Sequence, residues 1–169
     1  LNSANLSARV QTMRNGVRVT FDPSTFDINS KTWQIDKDGQ LAYENKYLSA
    51  DGLNIHSGDQ NIAVTTHPSG EGNWNDIHVD LIKVNIGDFT PYLVKSERLE
   101  GLLTGAVDMT DPFGKHTITF RGQADQFRFA NDSIGHLDLT ADYQKATGTI
   151  HANLHSNNKN YHLDGAAVI

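Results

Sequence analysis

"ERLEGLLTGAVDM", residues 97–109, puts Leu99, Gly101, Leu103, Gly105, Val107 and Met109 on every second position. That is the period of a β-strand, in which alternate side chains share one face. Two of the six places on this face are glycines, although glycine is a poor strand residue. Interior strand glycines mark a bend, a bulge or the close approach of another backbone. The run therefore predicts a strand in a sheet that is curved or crowded at Gly101 and Gly105.

The same period continues in both directions. Toward the N-terminus it carries Val17, Val19 and Phe21, then Trp33 and Ile35, Leu53 and Ile55, Ile62 and Val64, and Ile77, Val79 and Leu81. Toward the C-terminus it carries Ile118 and Phe120, Phe127 and Phe129, Leu137, Leu139, Ala141 and Tyr143, Ile150, Ala152 and Leu154, and finally Tyr161 and Leu163. Turn-forming clusters separate these runs, among them Asp22-Pro23-Ser24, Ser57-Gly58-Asp59, Asn131-Asp132-Ser133 and Ser156-Asn157-Asn158. The rhythm predicts an all-β fold: a curled antiparallel meander sheet with hairpin connections and an apolar interior.

One segment breaks the pattern. In "GDFTPYLVKSERLE" Thr90 is suited to cap a helix whose first residue is Pro91, with Lys95 and Arg98 toward its far end. The expectation is one short helical segment near 90–97, and with it a possible subdivision near 87–98 of what otherwise reads as a single unit over 1–169.

The net charge is -6 and the lysines and arginines are scattered, which argues against nucleic acid as a partner. The absence of cysteine removes disulfides, thiolate metal sites and thiol nucleophiles from consideration. No apolar run approaches the ~18 residues of a membrane helix. The start at Leu1 and the strand-like ending "GAAVI" suggest a segment of a larger protein.

Candidates for chemistry are sparse. Asp76, His78 and Asp80 share a strand face, as polar residues do on the outside of any half-buried strand. His151 and His155 have the spacing of a helical zinc pair, but on a strand four residues span ~13 Å, too far for two ligands of one ion. His136 and His162 could join them only through cross-strand pairing. "DKDG", Asp36–Gly39, begins like a calcium loop without its later ligands and reads as a hairpin turn. With no nucleophile elbow, phosphate loop or dinucleotide fingerprint, the chain is not expected to be an enzyme, and no cofactor or metal is implied.

What the residues do present is strand after strand with one apolar face and almost no helix to cover it. Such a face must be hidden against another sheet, against itself or against a ligand. "VRVTFDPSTFDINSKTWQID", "LSADGLNIHSGDQNIAV", "LIKVNIGDFTPYLVKSERLEGLLTGAVDM" and "SIGHLDLTADYQ" together resemble the C-terminal conserved region of the TamB (translocation and assembly module) family of the AsmA-like superfamily, in its Bacteroidota form. The likeness extends from about Val17 to the end, and its most specific part is the strand that leads through "DFTPYL" into the leucine-glycine run.

The resemblance implies a β-taco, a sheet curled lengthwise around an apolar groove. It further implies a part in carrying phospholipid between inner and outer membranes, a link to outer-membrane protein assembly and a place in the periplasm. The parent protein would be anchored in the inner membrane and would meet an Omp85-type outer-membrane barrel. The candidate groove residues are Val17, Val19, Trp33, Ile35, Leu53, Ile55, Ile62, Val64, Ile77, Val79, Leu81, Leu103, Val107, Ile118, Phe120, Phe127, Phe129, Leu137, Leu139, Ile150, Leu154 and Leu163, with Gly101 and Gly105 at points of curvature. The rival from another class is a β-sandwich carbohydrate-binding or adhesion module, for which Trp74 is the best exposed platform.

Overall fold

The computed structural model describes residues 3–93, 99–158 and 161–168. Among them lie fifteen strands: β1 (Ala4–Asn5), β2 (Ala8–Met13), β3 (Gly16–Phe21), β4 (Ser24–Ile28), β5 (Lys31–Ile35), β6 (Gln40–Glu44), β7 (Tyr47–Asp51), β8 (Leu53–Ser57), β9 (Gln60–Pro68), β10 (Asn75–Asn85), β11 (Leu99–Thr110), β12 (Thr117–Phe129), β13 (Asp132–Gln144), β14 (Thr149–Asn158) and β15 (Tyr161–Val168). A single helix, α1 (Ile86–Leu93), interrupts them. The fold is all-β, and its sheets are antiparallel throughout. From β8 to β15 each strand pairs with the next, which is the expected meander.

Upstream the connectivity is richer than a meander. The larger sheet runs β1-β4-β5-β8-β9-β10-β11-β12-β13-β14-β15, and a second, four-stranded sheet runs β2-β3-β6-β7. The chain passes between the sheets repeatedly, and short backbone bonds pin the crossings. Asp22 N–H donates to Ser7 O at 3.0 Å, Phe21 N–H to Gly39 O at 2.8 Å, and Asp36 N–H to Asn54 O at 3.0 Å. The buried Ser24 hydroxyl accepts from Ser7 N–H at 2.9 Å and lies within reach of the Ser7 and Asp22 carbonyls. Asp36–Gly39 is therefore a crossing between sheets rather than the hairpin turn expected for it: β5 pairs with β4 and β8, whereas β6 pairs with β3 and β7. The larger sheet does not close on itself, since β1 pairs only with β4 and β15 only with β14.

Bulges keep apolar residues on one side where the sequence changes phase. Ile77, Val79 and Leu81 are followed on β10 by Val84, and the register against β11 slips between Leu81 and Val84, with Lys83 at φ 50°. On β12 the phase of Ile118 and Phe120 passes to that of Phe127 and Phe129 across a slip between Ala124 and Phe127, with Gln126 at φ 54°. A bulge adds one residue and bends the strand, so each slip returns the next apolar side chain to the same face. Gly101 stands beside the second slip at φ 150°, a backbone state that side chains rarely adopt.

The helix starts earlier than Thr90 and Pro91 suggested. Asn85 supplies the cap, its Oδ1 accepting from Gly87 N–H at 2.9 Å, and Gln60 Oε1 holds the Asn85 N–H at 2.7 Å. Thr90 and Pro91 consequently fall inside the helix, and the expected residues 94–97 lie outside those described. The buried Asp88 in the first turn ties α1 to the β4–β5 hairpin, accepting from Lys31 Nζ at 2.7 Å and Asn29 Nδ2 at 3.3 Å. Phe89 meets Trp33 edge-on, with ring centres 5.9 Å apart. The helix is thus inserted between the paired strands β10 and β11 rather than between separate sheets.

Candidate functional site

Register brings most of the candidate groove residues onto one face of the larger sheet. Directly paired residues share a side, so one row runs Ile35, Ile55, Ile62, Leu81, Gly105, Gly122, Leu139, Leu154. A second runs Leu53, Val64, Val79, Val107, Phe120, Ala141, Ala152. A third joins Ile77, Met109, Ile118 and Tyr143 to the register position of Ile150. The first row crosses eight strands, and at ~4.8 Å per strand its seven steps span about 34 Å. Leu163 takes the position opposite Ser156.

Exposure grades along this face. Below the three rows, Val84 pairs with Leu103, Leu103 with Ala124 and Ala124 with Leu137. Ala124 is 0% exposed, Leu137 1% and Val84 6%, and beside the helix Trp33 is 0%. This end is closed, and within the rows Ile35 on β5 and Leu53 on β8 are buried as well. Ile55, Ile62, Val64, Ile77, Val79, Leu81, Leu103, Val107, Ile118, Phe120, Phe127, Leu139 and Leu154 are only half-buried, and Phe129 is exposed. The arrangement is a trough with a packed floor at one end and apolar walls that remain partly accessible.

The smaller sheet forms a second wall. Val17 and Val19 lie on β3, hence not on the larger sheet, and pair with Tyr43 and Leu41 of β6. This apolar face meets the larger sheet where Ala50 N–H donates to Thr66 Oγ1 at 3.0 Å, and where Tyr43 meets Phe113 of the β11–β12 turn with ring centres 5.7 Å apart. Sequence reasoning missed Tyr43 and Phe113, because one lies on a short strand and the other in a turn without period.

The two glycines have different surroundings. A side chain at Gly101 would meet Asp125 O and the Phe127 Cα at 3.3 Å. At Gly105 a Cβ would lie 2.4 Å from Arg121 O and 2.7 Å from the Cα of Gly122, its partner on β12. The space is filled by backbone. At Gly122 a Cβ would also come within 2.9 Å of Phe120 Cζ, so the Phe120 ring lies against this glycine pair.

The opposite face is polar, and its histidines find aspartates. His78 Nδ1 lies 2.6 Å from Asp108 Oδ1 and its Nε2 3.2 Å from Asp80 Oδ1. His136 repeats the arrangement with Asp125 at 2.7 Å and Asp138 at 3.3 Å. His151 and His155 are in register with Asp142 and Asp138 on β13. Asp76 instead accepts from Trp74 Nε1 at 2.9 Å. The Trp74 ring fills the space a side chain at Gly72 would need, so it is turned onto its own loop.

The hydrogen bond to Asp108 raises the His78 pKa above its ordinary 6.5, Asp80 adding to the effect and slight burial opposing it; Asp125 and Asp138 do the same for His136. A histidine whose pKa is raised by folding contributes stability that is fully present below the unfolded value and is lost as pH climbs through the folded one. Urea midpoints should therefore fall modestly from pH 6.5 upward. A His78→Asn/His136→Asn variant should show a flatter profile over that interval, and equal slopes in the two proteins would refute this linkage.

Among the described residues no three histidine or carboxylate side chains are grouped to hold a metal ion, and no helix is long and apolar enough to cross a membrane. Comparison of the chain with family models, with curated proteins and with solved structures finds no match.

Proposed function

We propose that the trough shields phospholipid acyl chains, and that the chain is a β-taco segment of a TamB-like envelope protein that moves phospholipid from inner to outer membrane and takes part in outer-membrane protein assembly. The observation that carries the reading is the apolar row across eight strands whose members from Ile55 to Leu154 stay only half-buried. Burial in water-free surroundings is worth about 0.8 kcal/mol per methylene, so a dozen methylenes gain roughly 10 kcal/mol on entering such a trough. Its ~34 Å length exceeds the ~15 Å depth of one bilayer leaflet, which lets a chain lie along the rows. The headgroup stays at the mouth, in water. In this reading the protein works in the periplasm, its parent is held in the inner membrane, and an Omp85-type barrel is the partner at the far side. No bond is made or broken, and no cofactor is required.

Solvent extraction of the purified protein followed by lipid mass spectrometry tests the reading. Phospholipid should be present in clear excess over a similarly handled globular β protein. Val107→Asp, which puts a charge in the middle of the second row, should lower the lipid content several-fold while circular dichroism stays that of a β protein. A clean extract from folded wild-type protein would remove the lipid reading from these residues.

A further inference from the structure

The smaller sheet carries a second concavity on its Arg18, Ala42 and Ser49 face, opposite the face of Val17, Val19 and Leu41, and Asn75 of β10 borders it. It encloses about 380 Å³, within the ~300–1,000 Å³ range of small-molecule sites. The floor is made of small side chains, Ala42 on β6 opposite Ser49 on β7. Around it stand Arg18 from β3, Gln40 and Glu44 from β6, and Tyr47 and Asp51 from β7. Gly16, in register with Glu44, adds no side chain to this rim.

Several charges elsewhere on the surface are paired: Arg9 with Asp22 and Asp38, Lys31 with Asp88, Arg128 with Glu100, and His78 and His136 each between two aspartates. Arg18, Glu44 and Asp51 form no ion pair or side-chain hydrogen bond among the described residues, and neither do the Gln40 amide and the Tyr47 hydroxyl. Part of the lining, by contrast, is braced, with Asn45 and Asn75 themselves at its border. Asn75 Nδ2 donates to Leu48 O at 2.8 Å and to Ser49 Oγ at 3.3 Å, and Asn15 Nδ2 donates to Asn45 Oδ1 at 2.9 Å at the rim turn. A braced dish with unspent hydrogen-bonding groups is organised for a ligand before it arrives.

The chemistry of the groups selects the ligand class. Glu44 and Asp51 only accept, Arg18 only donates, and Gln40 and Tyr47 do both. Adjacent hydroxyls of a sugar both donate and accept, and so satisfy such a mixture at once. Two carboxylates against one guanidinium disfavour a phosphate or carboxylate ligand, and a floor of alanine and serine offers little to a greasy one. Tyr47, 36% exposed at the rim, presents an aromatic face to the apolar side of a sugar ring. We propose that this dish binds a neutral oligosaccharide, with Glu44, Asp51 and Arg18 on its hydroxyls and Tyr47 against a ring.

Amide chemical shifts of the labelled chain, titrated with neutral trisaccharides of glucose, mannose and N-acetylglucosamine, test this. At least one should give saturable shifts centred on Ala42 and Ser49. Arg18→Met, Glu44→Gln and Tyr47→Ala, all at partly or fully exposed positions, should each weaken it by roughly tenfold or more, as expected for losing a charge-assisted hydrogen bond or a stacking face. Glycine and inorganic phosphate serve as rival probes. Saturation with either of these and with no trisaccharide, or no saturable shift at all, or shifts unaltered by the three variants, would each overturn the proposal. Lipid content is an independent measurement, since Arg18, Glu44 and Tyr47 belong to the smaller sheet and to none of the apolar rows.

Discussion

Gly105→Leu should leave the chain unable to form its larger sheet, and Gly105→Ala alone should cost about 3 kcal/mol. The cost does not come from lost flexibility, because Gly105 has an ordinary extended backbone. It comes from the neighbouring strand: the added Cβ would sit 2.4 Å from Arg121 O and 2.7 Å from the Gly122 Cα. Those are backbone atoms of β12, and they cannot rotate aside as a flexible side chain does. Separating β11 from β12 to make room would weaken the ladder from Thr104 to Thr110 and the contact of Phe120 on the glycine pair. Gly122→Ala should match the loss, because its Cβ meets Thr104 O at 2.3 Å and the Gly105 Cα at 2.7 Å. Ala106→Val, one residue along on the polar face, is the control and should shift stability by no more than about 1 kcal/mol. Urea unfolding followed by tryptophan fluorescence measures the two alanine variants and the Ala106→Val control. A Gly105→Ala protein within about 0.5 kcal/mol of wild type would mean that the strands are not held this close.

That pair of glycines illustrates which features the chain announces and which it does not. Alternation of apolar residues disclosed the strands and their inward faces, because period two is a property of a single strand. It could not assign strands to sheets: β3 and β5 carry the same pattern, and only hydrogen bonding sends Val17 and Val19 to one sheet and Trp33 and Ile35 to the other. Nor did it disclose that Gly105 faces Gly122, since cross-strand register is not written in either strand alone. The phase change from Ile118 and Phe120 to Phe127 and Phe129 was visible and read as two strands, whereas β12 is continuous and absorbs it at Gln126. A glutamine at positive φ leaves no compositional mark. The helix was legible, but its start was not: Thr-Pro is a strong local signal, and Asn85 outcompeted it because the end of β10 already fixed the chain at Asn85. Asp80 and Asp138 stand two residues from their histidines on the same strand, but the cross-strand partners Asp108 and Asp125, and the dish of Arg18, Glu44 and Asp51, depend on which strands lie side by side.

Trp33→Ala is expected to cost about 3–5 kcal/mol, a large part of the ~5–15 kcal/mol that holds a domain of this kind together. Trp33 is 0% exposed and lies edge-on to Phe89, so its removal leaves a cavity where α1 meets the larger sheet. Its buried Nε1 has no hydrogen-bond partner among the described residues, which makes the indole an imperfect occupant. Trp33→Phe, which removes that polar atom while keeping an aromatic ring against Phe89, should therefore cost much less than Trp33→Ala. The pair of variants separates packing from polarity. Hydrogen exchange then locates the damage. Asp88 still ties α1 to Lys31 and Asn29 in the alanine variant, so Gly87 to Phe89 should exchange faster without matching the rate of the unfolded chain. Equal losses for alanine and phenylalanine would show that the indole itself is required, and a loss below about 1 kcal/mol for alanine would show that the helix end of the trough is held by something other than this ring. If the closed end does depend on Trp33, loosening it also opens the rows of half-buried residues to water from below. Retained acyl chains should then exchange into added vesicles faster from the Trp33→Ala protein than from wild type, at equal initial lipid content.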